Sequence, residues 1–127
     1  MEKIVRIGDT EVRLRASALL PRLYRYKYGR DLIHDMRELE KNFRRAIKAK
    51  NAETEEEQED AQLGVLDLTI FENVAHLMAR QADKSIPEDA DEWLDTIPGA
   101  FSIYEILPEI LDLWAFNQAQ TSAPLKK

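Results

Sequence analysis

Glu72 and His76 stand four residues apart, the spacing that puts two side chains on one face of a helix. They could offer two of the three or four ligands that a zinc site requires. The chain has no cysteine, and its second histidine, His34, stands alone. The pair therefore reads as a polar helical face rather than a metal centre. A covalent nucleophile needs an activated Ser, Cys or Thr with a positioned base. Ser17 and Ser102 sit where helix caps are expected, and Ser85 and Ser122 fall in a linker and a tail. Gly8, Gly29, Gly64 and Gly99 are scattered and form no phosphate cradle. The carboxylates occur in runs that suit solvated faces. No constellation points to an enzyme, and neither a metal nor a cofactor is expected.

The densest cluster of interaction-prone side chains is the segment from Arg22 to Arg30. It interleaves Arg22, Arg25, Lys27 and Arg30 with Tyr24, Tyr26 and Tyr28. Such a pattern can stack bases and hold phosphates. In the alternative reading Tyr24 and Tyr28, four apart, pack inward while Arg25, Lys27 and Arg30 face water. The acidity of the whole chain and the absence of a known binding motif weigh against nucleic acid.

Residues 3–7 and 11–15 alternate as strands do, with a turn at Gly8-Asp9-Thr10, and predict an N-terminal hairpin over 3–15. A lone hairpin is marginal in water, so its apolar face must rest on helices. Ser17 is the expected N-cap of a first helix, with Pro21 near its first turn and Gly29 as the left-handed residue that ends it. Asp31 is the expected cap of a second helix. Its stripe of Leu32, Met36, Leu39, Phe43 and Ile47 lies opposite a basic surface that includes Arg37, Arg44 and Arg45. Residues 51–60 carry no large apolar side chain and read as an exposed connection. A third helix over about 61–83 is apolar nearly all round and should form the centre of the core.

Pro87 is expected to open a short acidic helix through Trp93 and Leu94, with Pro98-Gly99 stopping it. Ser102 to Glu105 has capping-box form and starts the last helix, which Pro108 should kink or whose start it should mark. Glu105, Glu109 and Asp112 line one side of that helix. The fold class is mainly α: a single helical domain of four to five helices over 1–120, with a short N-terminal β-hairpin and a disordered tail over 121–127. Trp93, Leu94, Ile106, Ile110 and Trp114 are candidates for the core. An aromatic surface with an acidic rim is also how a binding groove looks.

With 127 residues, 44% hydrophobic and 33% charged, the composition suits one soluble helix-rich globule. The N-terminus lacks the basic-then-apolar order of a signal peptide, and no apolar stretch has membrane-spanning length. The expected location is therefore the cytoplasm, with no membrane partner. The net charge of −6 conceals a polarity. Residues 1–50 carry 14 Lys and Arg against 7 Asp and Glu, whereas the remainder carries 4 against 17. This polarity can mean attraction between the two halves of one fold, a charged partner surface, or head-to-tail self-association.

The order of these features resembles the tail assembly chaperones of long-tailed bacteriophages, particularly those of Gram-positive hosts and their prophages. The hairpin from Ile4 to Leu14 comes first. Tyr24-Arg25-Tyr26-Lys27-Tyr28-Gly29-Arg30-Asp31-Leu32 is similar to that group's Tyr-Arg…Phe/Tyr-Gly-Arg-Asp signature. The central apolar helix, Glu92-Trp93-Leu94-Asp95 and the segment from Ile106 to Trp114 follow in order. The resemblance covers most of the chain. It implies a small helical, non-enzymatic protein of the host cell cytoplasm that acts in viral morphogenesis. Such a protein binds the tape measure protein, helps recruit tail tube subunits and is absent from the mature virion. It also implies, in many relatives, a longer frameshifted form, with which Lys126-Lys127 is compatible. The family offers no active-site residues. The partner surface is therefore inferred from chemistry: Trp93, Leu94, Glu105, Glu109, Asp112 and Trp114, with Arg37, Arg44 and Arg45 of the basic helix as a rival or second contact. The competing readings are a permanent virion component, such as a head–tail connector or tail completion protein, and a small nucleic-acid-binding regulator.

Overall fold

The computed structural model describes residues 1–50, 63–97 and 101–122, with side chains excluded for residues 50 and 116–122. Strands β1 (Glu2–Ile7) and β2 (Thr10–Arg15) pair antiparallel, with Val5 opposite Val12 and Ile7 opposite Thr10. Gly8 opens the two-residue turn at φ 63°, a conformation in which a side chain would be strained. Thr10 belongs to the second strand rather than to the turn. Val5, Ile7, Val12 and Leu14 all point to the buried face, as the two-residue period of a strand requires.

Five helices follow among the described residues: α1 (Leu19–Tyr28), α2 (Leu32–Lys50), α3 (Val65–Ala82), α4 (Ala90–Asp95) and α5 (Ile103–Ser122). The chain is thus mainly α with an N-terminal hairpin, as its patterning predicts. Helix α3 is the hub: β2, α1, α2, α4 and α5 all pack on it, while α5 also meets β1. One hydrophobic cluster unites the hairpin and the five helices, from Val5 and Leu14 through Tyr24, Met36, Phe71 and Met78 to Trp93 and Leu107. No helix among the described residues is long and apolar enough to cross a membrane.

Several element ends differ from expectation. Helix α1 begins at Leu19 with Ala18 at the cap position. The Ser17 hydroxyl accepts from the Leu19 amide at 3.3 Å and donates to Gln81 Oε1 at 3.2 Å, so it ties α1 to α3 as well as turning the chain. Helix α3 starts at Val65 rather than near 61, because Gly64 is extended and its amide donates to Asp67 Oδ2 at 2.9 Å. The other Asp67 oxygen accepts from Asn42 Nδ2 at 3.0 Å, which locks this start against α2. From Ile70 onward α3 is buried on most sides, but Val65, Leu66 and Leu68 in its first turn are exposed. The expected all-round burial therefore stops where the other elements stop covering it.

Pro87 does not open α4. The Asp89 carboxylate takes the cap by accepting from the Asp91 amide at 3.1 Å, and Pro87 lies in the preceding loop. Helix α5 continues through Pro108 and reaches Ser122, two residues into the expected tail. The connection over 51–60, the Pro98-Gly99 stop and the tail over 123–127 lie outside the described residues.

Candidate functional site

The tyrosine- and arginine-rich segment resolves into three environments. Tyr24 is fully buried and its hydroxyl donates to Asp35 Oδ2 at 2.7 Å. Arg30 grips the same carboxylate with two parallel bonds, Nε to Oδ2 at 2.6 Å and Nη2 to Oδ1 at 2.9 Å. Asp35 is only 2% exposed, so these three donors are what allow a carboxylate to sit in the core. Burial alone would raise the Asp35 carboxyl, but the hydrogen bonds from Arg30 and Tyr24 outweigh it and hold the group below the ordinary aspartate value. Arg30 therefore does not simply face water.

Gly29 makes the geometry available. It ends α1 at φ 66°, and its amide donates to the Arg25 carbonyl at 2.8 Å. The Asp31 carboxylate then caps α2 through the Ile33 amide at 3.0 Å. Asp35 was not singled out by sequence reasoning. Its position beside Leu32, Met36 and Leu39 on the apolar stripe was the available signal.

Tyr28 is half-buried, rests 5.1 Å from the Tyr24 ring, and has its hydroxyl pushed up by burial and then by the Asp89 charge. Tyr26 is the exposed member, at 65%, with the Arg22 guanidinium 4.8 Å and the Arg25 guanidinium 5.9 Å from its ring centroid. It borders an open groove of about 640 Å³ whose floor includes Leu23 and Leu77 and whose rim includes Lys84.

Two cations of that groove are engaged with the loop between α3 and α4. Three successive carbonyls of the loop are each held by a side chain. Arg80 Nη1 donates to the Ile86 carbonyl, His76 Nε2 to that of Pro87 at 2.7 Å, and Lys27 Nζ to that of Glu88. A carbonyl only accepts, so the His76 proton is on Nε2. His76 is fully buried, 5.6 Å from the Trp93 ring, and its Nδ1 has no partner among the described residues. Burial lowers its pKa against the opposing effect of the Pro87 bond. Glu72 is half-buried, and no group of three His, Cys, Asp or Glu side chains among the described residues could hold a metal. Of the Glu72–His76 pair, His76 serves packing and loop placement. His34 is exposed.

The inferred partner residues do not form one patch. Trp93 and Trp114 are core residues, 4% and 9% exposed, and Leu94 is packed against the core. Trp93 meets the Phe101 ring edge-on at 5.8 Å, and Phe101 stacks on Phe71 at 4.8 Å. The two tryptophans accordingly serve the core rather than a groove wall. Glu105 and Asp112 are exposed on α5, while Glu109 and Asp112 share the Lys3 ammonium of β1 at 2.5 and 3.6 Å. Arg37, Arg44 and Arg45 are exposed on α2, and Arg44 pairs with Glu40 one turn away at 2.8 Å. These features define a helical protein whose accessible chemistry is charge and scattered apolar surface. Comparison with known proteins returned no match: no family model, no curated protein and no solved structure is similar to this chain.

Proposed function

We propose that the chain is a non-enzymatic phage tail assembly chaperone that binds the tape measure protein and helps recruit tail tube subunits around it. The observation that carries this reading is the α1–α2 corner. Within the segment that resembles the family's signature, Tyr24, Gly29, Arg30 and Asp31 each have a separate task, and together they build one folded unit closed on Asp35. The small helical fold with its leading hairpin also suits the reading.

A tape measure protein exposes long apolar helices before assembly, and a chaperone can cover such faces while charge keeps the complex soluble. With Trp93 and Trp114 in the core, the contact falls to exposed groups. We assign it to Glu105 and Asp112 of α5 with Val65, Leu66 and Leu68 at the start of α3. The test is co-expression with the tape measure protein, followed by pull-down from the soluble fraction and analysis of purified particles. The chaperone reading expects the partner to be soluble and copurified, with this chain missing from particles. Recovery of the chain in particles would transfer it to the structural components of the virion.

A further inference from the structure

We infer that the cationic face of α2 and the carboxylates of α4 are the two halves of a head-to-tail contact between copies of this chain. Arg37, Lys41, Arg44, Arg45 and Lys48 follow one another at steps of four, three, one and three. On a helix of 3.6 residues per turn these positions share a stripe about 16 Å long, opposite Leu32, Met36, Leu39 and Phe43. All five are exposed. Only Arg44 has an ion-pair partner among the described residues, so Arg37, Lys41, Arg45 and Lys48 stand unneutralised there.

Helix α4 carries the complement. Asp91, Glu92 and Asp95 are exposed and have no ion pair among the described residues, whereas Asp89 is used as the cap. Half-buried Glu72 is held above the usual carboxylate range, first by burial and then by the charge of Asp91, a sign of like-charge crowding on this side. Asp91 and Asp95 lie one turn apart, about 6 Å along the axis, the same rise that separates Arg37 from Lys41 and Lys41 from Arg45. The carboxylates of α5 are the weaker counterpart, because Lys3 already bridges Glu109 and Asp112.

Both signs occur on one chain, at matching spacing and on different helices. A second copy therefore satisfies both faces, which nucleic acid would not do. Such a contact is heterologous and propagates into a ring or a filament.

The test is sedimentation velocity of the full chain between about 0.02 and 0.5 M salt, a range over which the Debye length shrinks several-fold. The expected weight-average mass at low salt is at least about twice the 14.7 kDa of one chain, falling to the single-chain value at high salt. Arg37→Glu/Lys41→Glu/Arg45→Glu and Asp91→Lys/Glu92→Lys/Asp95→Lys should each be monomeric at low salt. Mixed in equal amounts they should assemble again, since each then offers the charge the other lacks. That recovery also shows that both variants fold. A wild-type chain that stays monomeric at low salt overturns the inference, as do reversed variants that assemble like wild type or a mixture that fails to assemble. If a monomeric wild-type chain binds duplex DNA and reversal of α2 abolishes that binding, the face belongs to nucleic acid instead.

Discussion

Replacing Tyr24 with phenylalanine removes one oxygen from the core and keeps the ring that packs against Tyr28. The lost bond is 2.7 Å long and ends on a carboxylate that is 2% exposed. A hydrogen bond to a charged acceptor contributes about 1.5–3 kcal/mol, and removing the donor leaves the buried carboxylate one partner short. For a domain of this size about 3–5 °C accompanies each kcal/mol, so the melting temperature should fall by about 5–15 °C. Urea unfolding at pH 7 reads the change as a lower midpoint with an unchanged slope.

The pH dependence of the same variant isolates the cause. The folded Asp35 carboxyl lies below its unfolded value near 3.8, so its stabilising contribution is complete above that value and is lost as pH falls through the folded one. The difference between wild type and Tyr24→Phe should therefore be widest at neutral pH and narrow below about pH 4. A difference under about 0.5 kcal/mol at pH 7 would refute the argument, because it would mean that the hydroxyl bond is not needed to hold the buried charge. A difference that persists unchanged into acid would show that the hydroxyl acts through packing alone.

Gly29→Ala should destabilise by about 1–2 kcal/mol, and Gly29→Asn by less, since a Cβ meets nothing within 4 Å and the cost is the left-handed backbone alone. Thermal melts of the pair separate that cost from a steric one. His76 is buried neutral and its folded pKa lies below the ordinary 6.5, so the unfolded chain takes up the proton first as pH falls. Wild-type stability should decline below about pH 6.5, and His76→Gln, which keeps a donor for Pro87, should flatten that part of the urea-midpoint profile.

The punctuation of the chain was legible because it rests on local chemistry. Gly29 and Asp31 can be read from a helix stop and a helix start set side by side, and the structure places a left-handed turn and a carboxylate cap there. Tyr24 facing inward belongs to one of the two readings of its segment, the one in which Tyr24 and Tyr28, four apart, pack on the core. Asp35 was hidden because charge signals exposure in a sequence, and only the tertiary approach of Arg30 and Tyr24 makes its burial tolerable. The start of α3 misled for the opposite reason. Val65, Leu66 and Leu68 have the composition of a buried helix, yet periodicity carries no information on how far the neighbouring elements extend. The two tryptophans beside an acidic rim fit a groove or a core equally well as residue types. The ring contacts of Trp93 with His76 and Phe101, and the burial of Trp114 within the core cluster, settle their place in the fold.

The loop before α4 is held by its backbone. Arg80, His76 and Lys27 reach the carbonyls of Ile86, Pro87 and Glu88, which every amino acid possesses. Three of the contacts that place this loop thus come from α1 and α3, while the Ser85 hydroxyl donates only to Asp83 within the loop and the exposed Glu88 carboxylate lies 3.8 Å from Arg80. Lineages of this protein could rewrite those positions, and with them the character of the adjoining surface, while the acidic helix kept its place. Drift should be slow at the three gripping residues and faster at the exposed side chains of the segment they hold, a division of labour that lets a surface change on an unchanging mount.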